Sequence, residues 1–377
     1  MDLGLYIHIP FCRQKCSYCD FPSYMGMDQL YDSYTEALRR EIAGQGLRFS
    51  AAHVDTVYLG GGTPSVLPTK LLISIVDEIK DNFCLDESVE FTMEANPGTV
   101  NLETLATLRQ AGINRVSFGI QSFLDSMLAY LGRIHNGHQG NEAVHLARQA
   151  GFHNISLDLM YDLPGQTVED WQHSLQCATD LGVEHISAYG LKIEAGTPLA
   201  YLHDSGELTL PNDDVQGDLY EWVNNYLPNR GYDRYEISNY AKAGFRCRHN
   251  LRYWNFLPYV GLGAAAHSFL NGDRFANTTN INEYIDRIKQ GMSAIEYREH
   301  LTQTDAMAEY CFLSLRTAEG ISLQEFRNRF GVSYEQIYEV QTRKLVKRGM
   351  VTVSGESVRL TAVGMKYGNQ VFCDFLP

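Results

Sequence analysis

Two rhythms of apolar and polar positions alternate along the first half of the chain. Short, β-branched runs fall at Leu5–Ile9, Val54–Leu59, Val89–Glu94, Arg115–Ile120, Ile155–Met160 and His185–Tyr189, and each reads as a strand. Between them lie segments of helical periodicity: Leu30–Ile42, Leu71–Asn82, Leu102–Gln110, Asn141–Ala150 and Val168–Leu181. Several stop at glycine, as in Ala111-Gly112, Ala150-Gly151 and Leu181-Gly182, where helices commonly end. This alternation predicts a parallel sheet with crossover helices. Six strands in roughly 200 residues fall short of a full eight-fold barrel, so the expected fold is α/β, a partial (β/α)6 TIM-type barrel.

From about Leu301 the pattern changes. Helical segments Asp305–Leu315, Leu323–Phe330 and Tyr334–Arg348 precede two short β-runs, Met350–Val353 and Ser357–Leu360, around Gly355. Helices followed by a hairpin predict a small winged-helix-like domain. The division expected is 1–240 for the barrel, 241–300 for a connecting segment and 301–377 for the C-terminal domain. Within the connection, Leu257–Ser268 is rich in small residues and predicts close backbone packing under the barrel mouth; its His267 is either structural or faces the site.

The first strand runs into Pro10-Phe11-Cys12-Arg13-Gln14-Lys15-Cys16-Ser17-Tyr18-Cys19-Asp20-Phe21, a C-x3-C-x2-C pattern. Three thiolates on one short loop can hold three irons of a [4Fe-4S] cluster and leave the fourth open to a small ligand. A zinc loop fits less well, because zinc favours a fourth protein ligand and the nearest histidine, His8, lies on the preceding strand. A disulfide pair would leave one cysteine over.

Unusual residues then gather at strand ends, where such folds place their chemistry. Gly60-Gly61-Gly62-Thr63-Pro64 follows the second strand and lets a ligand approach the backbone. Glu94 ends the third strand, placed either to take two hydroxyl donors or to sit in solvent. Gln121 is a polar residue in the apolar run to which the fourth strand leads, Arg133 follows, and the fifth strand carries Asp158. A buried polar group needs partners, so Arg133 and Asp158 are either site residues or a structural ion pair.

Composition narrows the setting. Of 377 residues 44% are hydrophobic and 20% charged, as in a water-soluble globular chain, and the net charge is −14. An acidic surface repels nucleic acid and anionic lipid, so no nucleic-acid partner is expected. The longest apolar runs are too short to span a membrane, the N-terminus lacks a basic leader pattern, and the remaining cysteines are scattered. A reducing cytoplasm is the expected location.

In order, Y-I-H-I-P-F-C-x3-C-x2-C, G-G-G-T-P, E-A-N-P-G, S-F-G-I-Q-S, L-G-R and D-L-M-x-x-L-P-G-Q-T resemble the radical S-adenosylmethionine (SAM) superfamily. They are most similar to its anaerobic coproporphyrinogen III oxidase-like family, over nearly the whole chain. The resemblance implies the same partial barrel, with Cys12, Cys16 and Cys19 as cluster ligands. It also implies SAM contacts at Tyr6, Tyr18, Gly61, Gly62, Thr63, Glu94, Gln121, Arg133 and Asp158, in one or two SAM sites. The oxidase has a further cysteine two residues after the third ligand, where this chain has Phe21, and a long arm before a first strand that here lies almost at the start. Both departures point to the heme chaperone branch of the family, HemW.

A third mark of that branch is Arg246-Cys247-Arg248-His249-Asn250-Leu251-Arg252-Tyr253-Trp254, whose H-N-x-x-Y-W string resembles its heme motif. The resemblance implies heme-binding by His249, Asn250, Tyr253 and Trp254. Imidazole is the commonest axial ligand of heme iron, the aromatics can cover a porphyrin face, and the three arginines can pair with propionates. Cys247 is a rival ligand, and a core histidine beside solvated arginines is the plainer alternative. The expected function is a heme chaperone that binds a [4Fe-4S] cluster and SAM and passes heme to acceptor hemoproteins, membrane-associated ones among them. The alternative is an oxygen-independent coproporphyrinogen III oxidase. Whether the chain forms a homodimer stays open.

Overall fold

The computed structural model describes residues 2–376. Six parallel strands follow one another in chain order: β1 (Asp2–Ile9), β2 (His53–Gly61), β3 (Cys84–Ala95), β4 (Arg115–Gln121), β5 (Ile155–Tyr161) and β6 (His185–Gly190). They are the centre of a twelve-stranded sheet that the sequence only half predicts. Beyond β6 come β7 (Asp233–Arg234) at the edge and β8 (Asn239–Ala241), which pairs antiparallel with β6. On the other side β9 (Tyr259–Leu262) pairs parallel with β1, and β10 (His267–Leu270), β11 (Asp273–Asn277) and β12 (Ile295–His300) continue antiparallel. The small-residue segment is thus a strand beside β1. The sheet ends at β12 and β7 and does not close.

The strands alternate. Leu5, Ile7 and Ile9 of β1, Val57 and Leu59 of β2, and Phe91 and Met93 of β3 pack in the core. Tyr6 and His8, Tyr58, Glu94, Ser117, Asp158 and Tyr189, of opposite parity, line cavities on the concave side. The crossover helices α1 (Tyr31–Arg48), α2 (Thr69–Asn82) and α3 (Leu102–Gln110) cover the apolar face, as do α5 (Gly137–Gln149) and α6 (Val168–Asp180), while α4 (Asp125–Tyr130) sets Met127 against a separate cluster of Leu131, Met160 and Leu163. In α2 the stripe Leu72, Ile75, Val76 and Ile79 is fully buried; each such side chain contributes about 1.5–3 kcal/mol. Caps set the limits: Asn136 and Thr167 form capping boxes with Gln139 and Asp170.

After β6, α7 (Pro198–Asp204) and α8 (Asp213–Tyr226) lead to β7, and α9 (Arg248–Trp254) and α10 (Ile281–Lys289) flank β9–β11. Glu41 of α1 ties this extension down. Its buried carboxylate accepts from the Gly263 N–H, the Tyr284 hydroxyl and the Asn277 amide. The last part holds α11 (Gln303–Ser314), β13 (Ile321–Ser322), α12 (Leu323–Phe330), α13 (Tyr334–Lys347), β14 (Val351–Ser354) and β15 (Ser357–Leu360). Its sheet order is β13-β15-β14, and its core of Cys311, Phe326, Tyr338 and Leu345 extends to Phe256 and Phe269 of the barrel extension. Among the described residues no helix is long and apolar enough to cross a membrane.

Candidate metal centre and adjoining cavities

The loop after β1 folds back on itself. Cys12 N–H donates to Tyr24 O, Tyr24 N–H to Pro10 O, and Cys19 N–H to Cys16 O. Cys12, Cys16 and Cys19 then line one cavity of about 160 Å³ at the C-terminal strand ends. Around it stand Tyr18, Gly61, Gly62, Thr63, Glu94, Gln121, Arg133 and Asp158. All the SAM contacts implied by the sequence except Tyr6 therefore meet there. Tyr6 opens on a neighbouring cavity and bonds to His8 Nδ1 at 2.9 Å.

The donor set suits a cluster. Three free thiols share one wall, yet among the described residues no three His, Cys, Asp or Glu side chains are grouped as ligands of a single ion. A cubane takes three such thiolates, whereas zinc favours a fourth protein ligand. Burial pushes the Cys19 thiol up, so a metal must displace its proton. Arg133 supplies positive charge: Nη1 donates to Cys16 Sγ at 3.2 Å, and Nη2 to Asn96 Oδ1 and the Gly119 carbonyl.

The glycine turn is a cradle. A Cβ on Gly62 would lie 2.6 Å from the Phe11 carbonyl oxygen, and Gly61 has φ +109° with its missing Cβ 2.5 Å from His8. Only glycine fits both. Thr63 Oγ1 lies 3.5 Å from Cys12 Sγ.

Glu94 is held from two sides, by the Tyr58 hydroxyl at 2.8 Å and the Gly61 N–H at 3.2 Å. Burial nonetheless pushes its carboxyl up to about 7, with nearby Asp158 adding to the rise. Burial also raises Asp158, against hydrogen bonds from Ser187 and Ser117. Asp158 does not pair with Arg133, so the ion-pair alternative is not what forms. Gln121 sits at φ 68°, a left-handed conformation rare outside glycine, and its amide oxygen accepts from Tyr189. Strain of this kind concentrates at ligand sites. Tyr58, Asn96 and Tyr189 had no sequence-based role; strand parity was the signal for Tyr58 and Tyr189.

Two further cavities adjoin the first, and Phe21 lines all three. One, of about 320 Å³, is polar and includes Arg115, Asp158, Asn239 and Asn250. The other, of about 470 Å³, is walled by aromatics, including Tyr6, Tyr253, Trp254, Phe256 and Phe269.

The H-N-x-x-Y-W string is divided among these places. It forms α9, which lies on the concave face of β1–β3. The Glu90 carboxylate receives the N–H groups of Arg248 and His249 at the helix start, where anions are favoured. Tyr253 and Trp254 reach the aromatic cavity and Asn250 the polar one. His249 reaches neither. It is 0% exposed, Nδ1 bonds to Thr56 Oγ1 at 3.0 Å and Nε2 to the Tyr253 hydroxyl at 2.8 Å. Burial, then Arg252, pushes its pKa down to about 3. Ligation of iron by His249 would break one of these bonds and take it out of its stack on Tyr58.

The arginines are spoken for as well. Arg252, 3% exposed, pairs with Asp55; Arg246 pairs with Glu319; Arg248 donates to the Ser88 carbonyl. None lines the aromatic cavity. Cys247 is buried, its thiol pushed up to about 12 by burial and bonded to Glu90.

Residues 6–178 match the Radical SAM superfamily, and residues 301–366 match the HemN C-terminal domain. The chain is 38% identical to the heme chaperone HemW of Bacillus subtilis (strain 168) over 98% of each chain. It is 35% identical to the heme chaperone HemW of Escherichia coli (strain K12), covering 99% of this chain and 98% of that one. The solved coproporphyrinogen III oxidase (HemN) from Escherichia coli shares the fold, with a TM-score of 0.86 at 22% identity over 99% of this chain and 89% of that one.

Proposed function

Because the chain belongs to the heme chaperone HemW family within the radical SAM superfamily, we propose that it holds a [4Fe-4S] cluster and SAM in the thiol-lined cavity, carries heme, and passes it to acceptor hemoproteins. Cys12, Cys16 and Cys19 hold the cluster. Gly61, Gly62 and Thr63 accommodate the methionine end of SAM against the backbone, and Glu94 takes its ribose hydroxyls. Tyr18, Gln121, Arg133 and Asp158 complete the polar wall. Tyr6 supports His8 from the same face of β1, through its bond to Nδ1. Bound together, cluster and SAM supply one-electron chemistry at a sulfonium carbon.

The observation that carries the reading is the juxtaposition of a thiol-lined polar cavity with an aromatic one, separated by Phe21. A porphyrin is a flat apolar disc with two carboxylates, which suits an apolar cavity with Tyr253 and Trp254 in its wall. Phe21 also stands where the oxidase has its further cysteine.

The test is anaerobic reconstitution followed by parallel assays of heme binding and coproporphyrinogen III decarboxylation. Heme binding without protoporphyrinogen formation is expected. Steady multiple turnover would replace this reading with the oxidase.

A further inference from the structure

The aromatic cavity holds two histidines, and they differ in one respect. His8 has both ring nitrogens engaged, Nδ1 with the Tyr6 hydroxyl and Nε2 with the Pro22 carbonyl, each at 2.9 Å. His267, the first residue of β10, has an exposed ring on the same wall, with no side-chain hydrogen bond to any described residue. Of the phenols nearby, Tyr6 bonds to His8 and Tyr253 to His249, while Tyr259 lies beside the Arg274 guanidinium. His267 is therefore the one imidazole of this wall with both ring nitrogens free of hydrogen bonds to described residues.

The backbone singles out the same place. Phe256 and Ala265, both on the cavity wall, have φ 54° and 61°, and left-handed non-glycine residues cost energy that ligand sites commonly carry. The volume, about 470 Å³, lies within the range of cofactor sites. Trp254, also on the wall, keeps a buried Nε1–H without an acceptor. Arg274 stands 4.9 Å over the Phe269 ring and brings a guanidinium to the rim, shared with Glu309.

We propose that this cavity seats heme with His267 as the axial ligand of its iron, and that His249 is a positioning residue that fixes Tyr253 on the wall. The inference rests on the heme-carrying function proposed above and names its site. Neutral imidazole with a free nitrogen is what heme iron takes. His267 offers it without breaking a bond, whereas His249 would give up a bond to Thr56 or Tyr253.

The experiment uses the full chain with its reconstituted cluster and two probes, hemin and metal-free protoporphyrin IX. In His267→Gly, hemin affinity should fall by about tenfold or more and the Soret band should shift. Added imidazole should restore the band, and protoporphyrin IX should bind as before because it has no iron to ligate. His249→Ala should weaken both porphyrins alike without moving the Soret band, and His249→Gln, which keeps a partner for Tyr253, should recover most of that affinity. An unchanged Soret band and hemin affinity in His267→Gly would overturn the inference. So would equal loss of both porphyrins without imidazole rescue. A wild-type chain that binds neither porphyrin would instead remove the heme-carrying function itself.

Discussion

The Tyr58 hydroxyl donates a 2.8 Å hydrogen bond to Oε1 of Glu94, and the Gly61 N–H donates to the other oxygen. Both bonds favour the charged carboxylate, yet burial outweighs them and raises the pKa from 4.5 to about 7. Between those values the folded chain holds a proton that the unfolded chain has released. Stability therefore falls as pH rises through that window and stays lower above it. Glu94→Gln, neutral throughout, should stabilise the cluster-free chain by up to about 3 kcal/mol near pH 8 and by little near pH 4. Urea denaturation at the two pH values checks this; equal effects at both would refute it.

The thiols give a second expectation. Cys12→Ala, Cys16→Ala and Cys19→Ala should each lose the cluster, while Cys84→Ala and Cys373→Ala, at exposed positions, should keep about four irons per chain. Iron and acid-labile sulfide analysis after anaerobic reconstitution decides it. A full cluster in Cys16→Ala would mean a different ligand set.

Close approach at the glycine turn predicts a contrast between two alanines. Gly62→Ala places a Cβ 2.6 Å from the Phe11 carbonyl and should cost about 1–3 kcal/mol, with loss of SAM binding by equilibrium dialysis. Gly44→Ala, within α1 and with nothing within 4 Å of its Cβ, should stabilise by about 0.5–1 kcal/mol. SAM affinity untouched in Gly62→Ala would detach this turn from the ligand.

The Arg252–Asp55 pair should be structural. Arg252 is 3% exposed and donates through Nε and Nη2 to Asp55 Oδ1. Arg252→Met leaves Asp55 without that partner and should cost about 3 kcal/mol. Adding Asp55→Asn should recover part of that, as a double-mutant cycle would read. Strict additivity would show that the two do not act together.

The parallel half of the sheet was legible because each strand is an apolar run ended by unusual chemistry, and because caps mark helix limits. Helices Leu102–Gln110 and Leu323–Phe330 match their expected limits, with Asn101 and Ser322 as N-caps. The sheet's flanks were not. β8 has three residues, and β12, Ile-Glu-Tyr-Arg-Glu-His, lies exposed along most of its length. One signal was there to be read: Asn271-Gly272 joins β10 to β11 with φ 54° and 81°, the two-residue turn that Asn-Gly favours. Spacing and strand ends pointed to most of the residues expected at a SAM site, and these line one cavity. Tyr6 stands three residues before the end of β1, too deep to reach the same cavity. The arginines beside His249 read as a free basic patch because their partners are distant in sequence; Asp55 is 197 positions from Arg252.

Phe21 projects from the cysteine loop with 62% of its surface exposed, and its ring borders three spaces at once. A ring has two faces but one torsional setting at a time. The setting that best accommodates an occupant on one side is the partition presented to the other. Free energy of this kind is reciprocal: if filling one space alters affinity in the next, the reverse holds by the same factor. Phe21 is the one residue that lines all three spaces, so any such coupling would run through it.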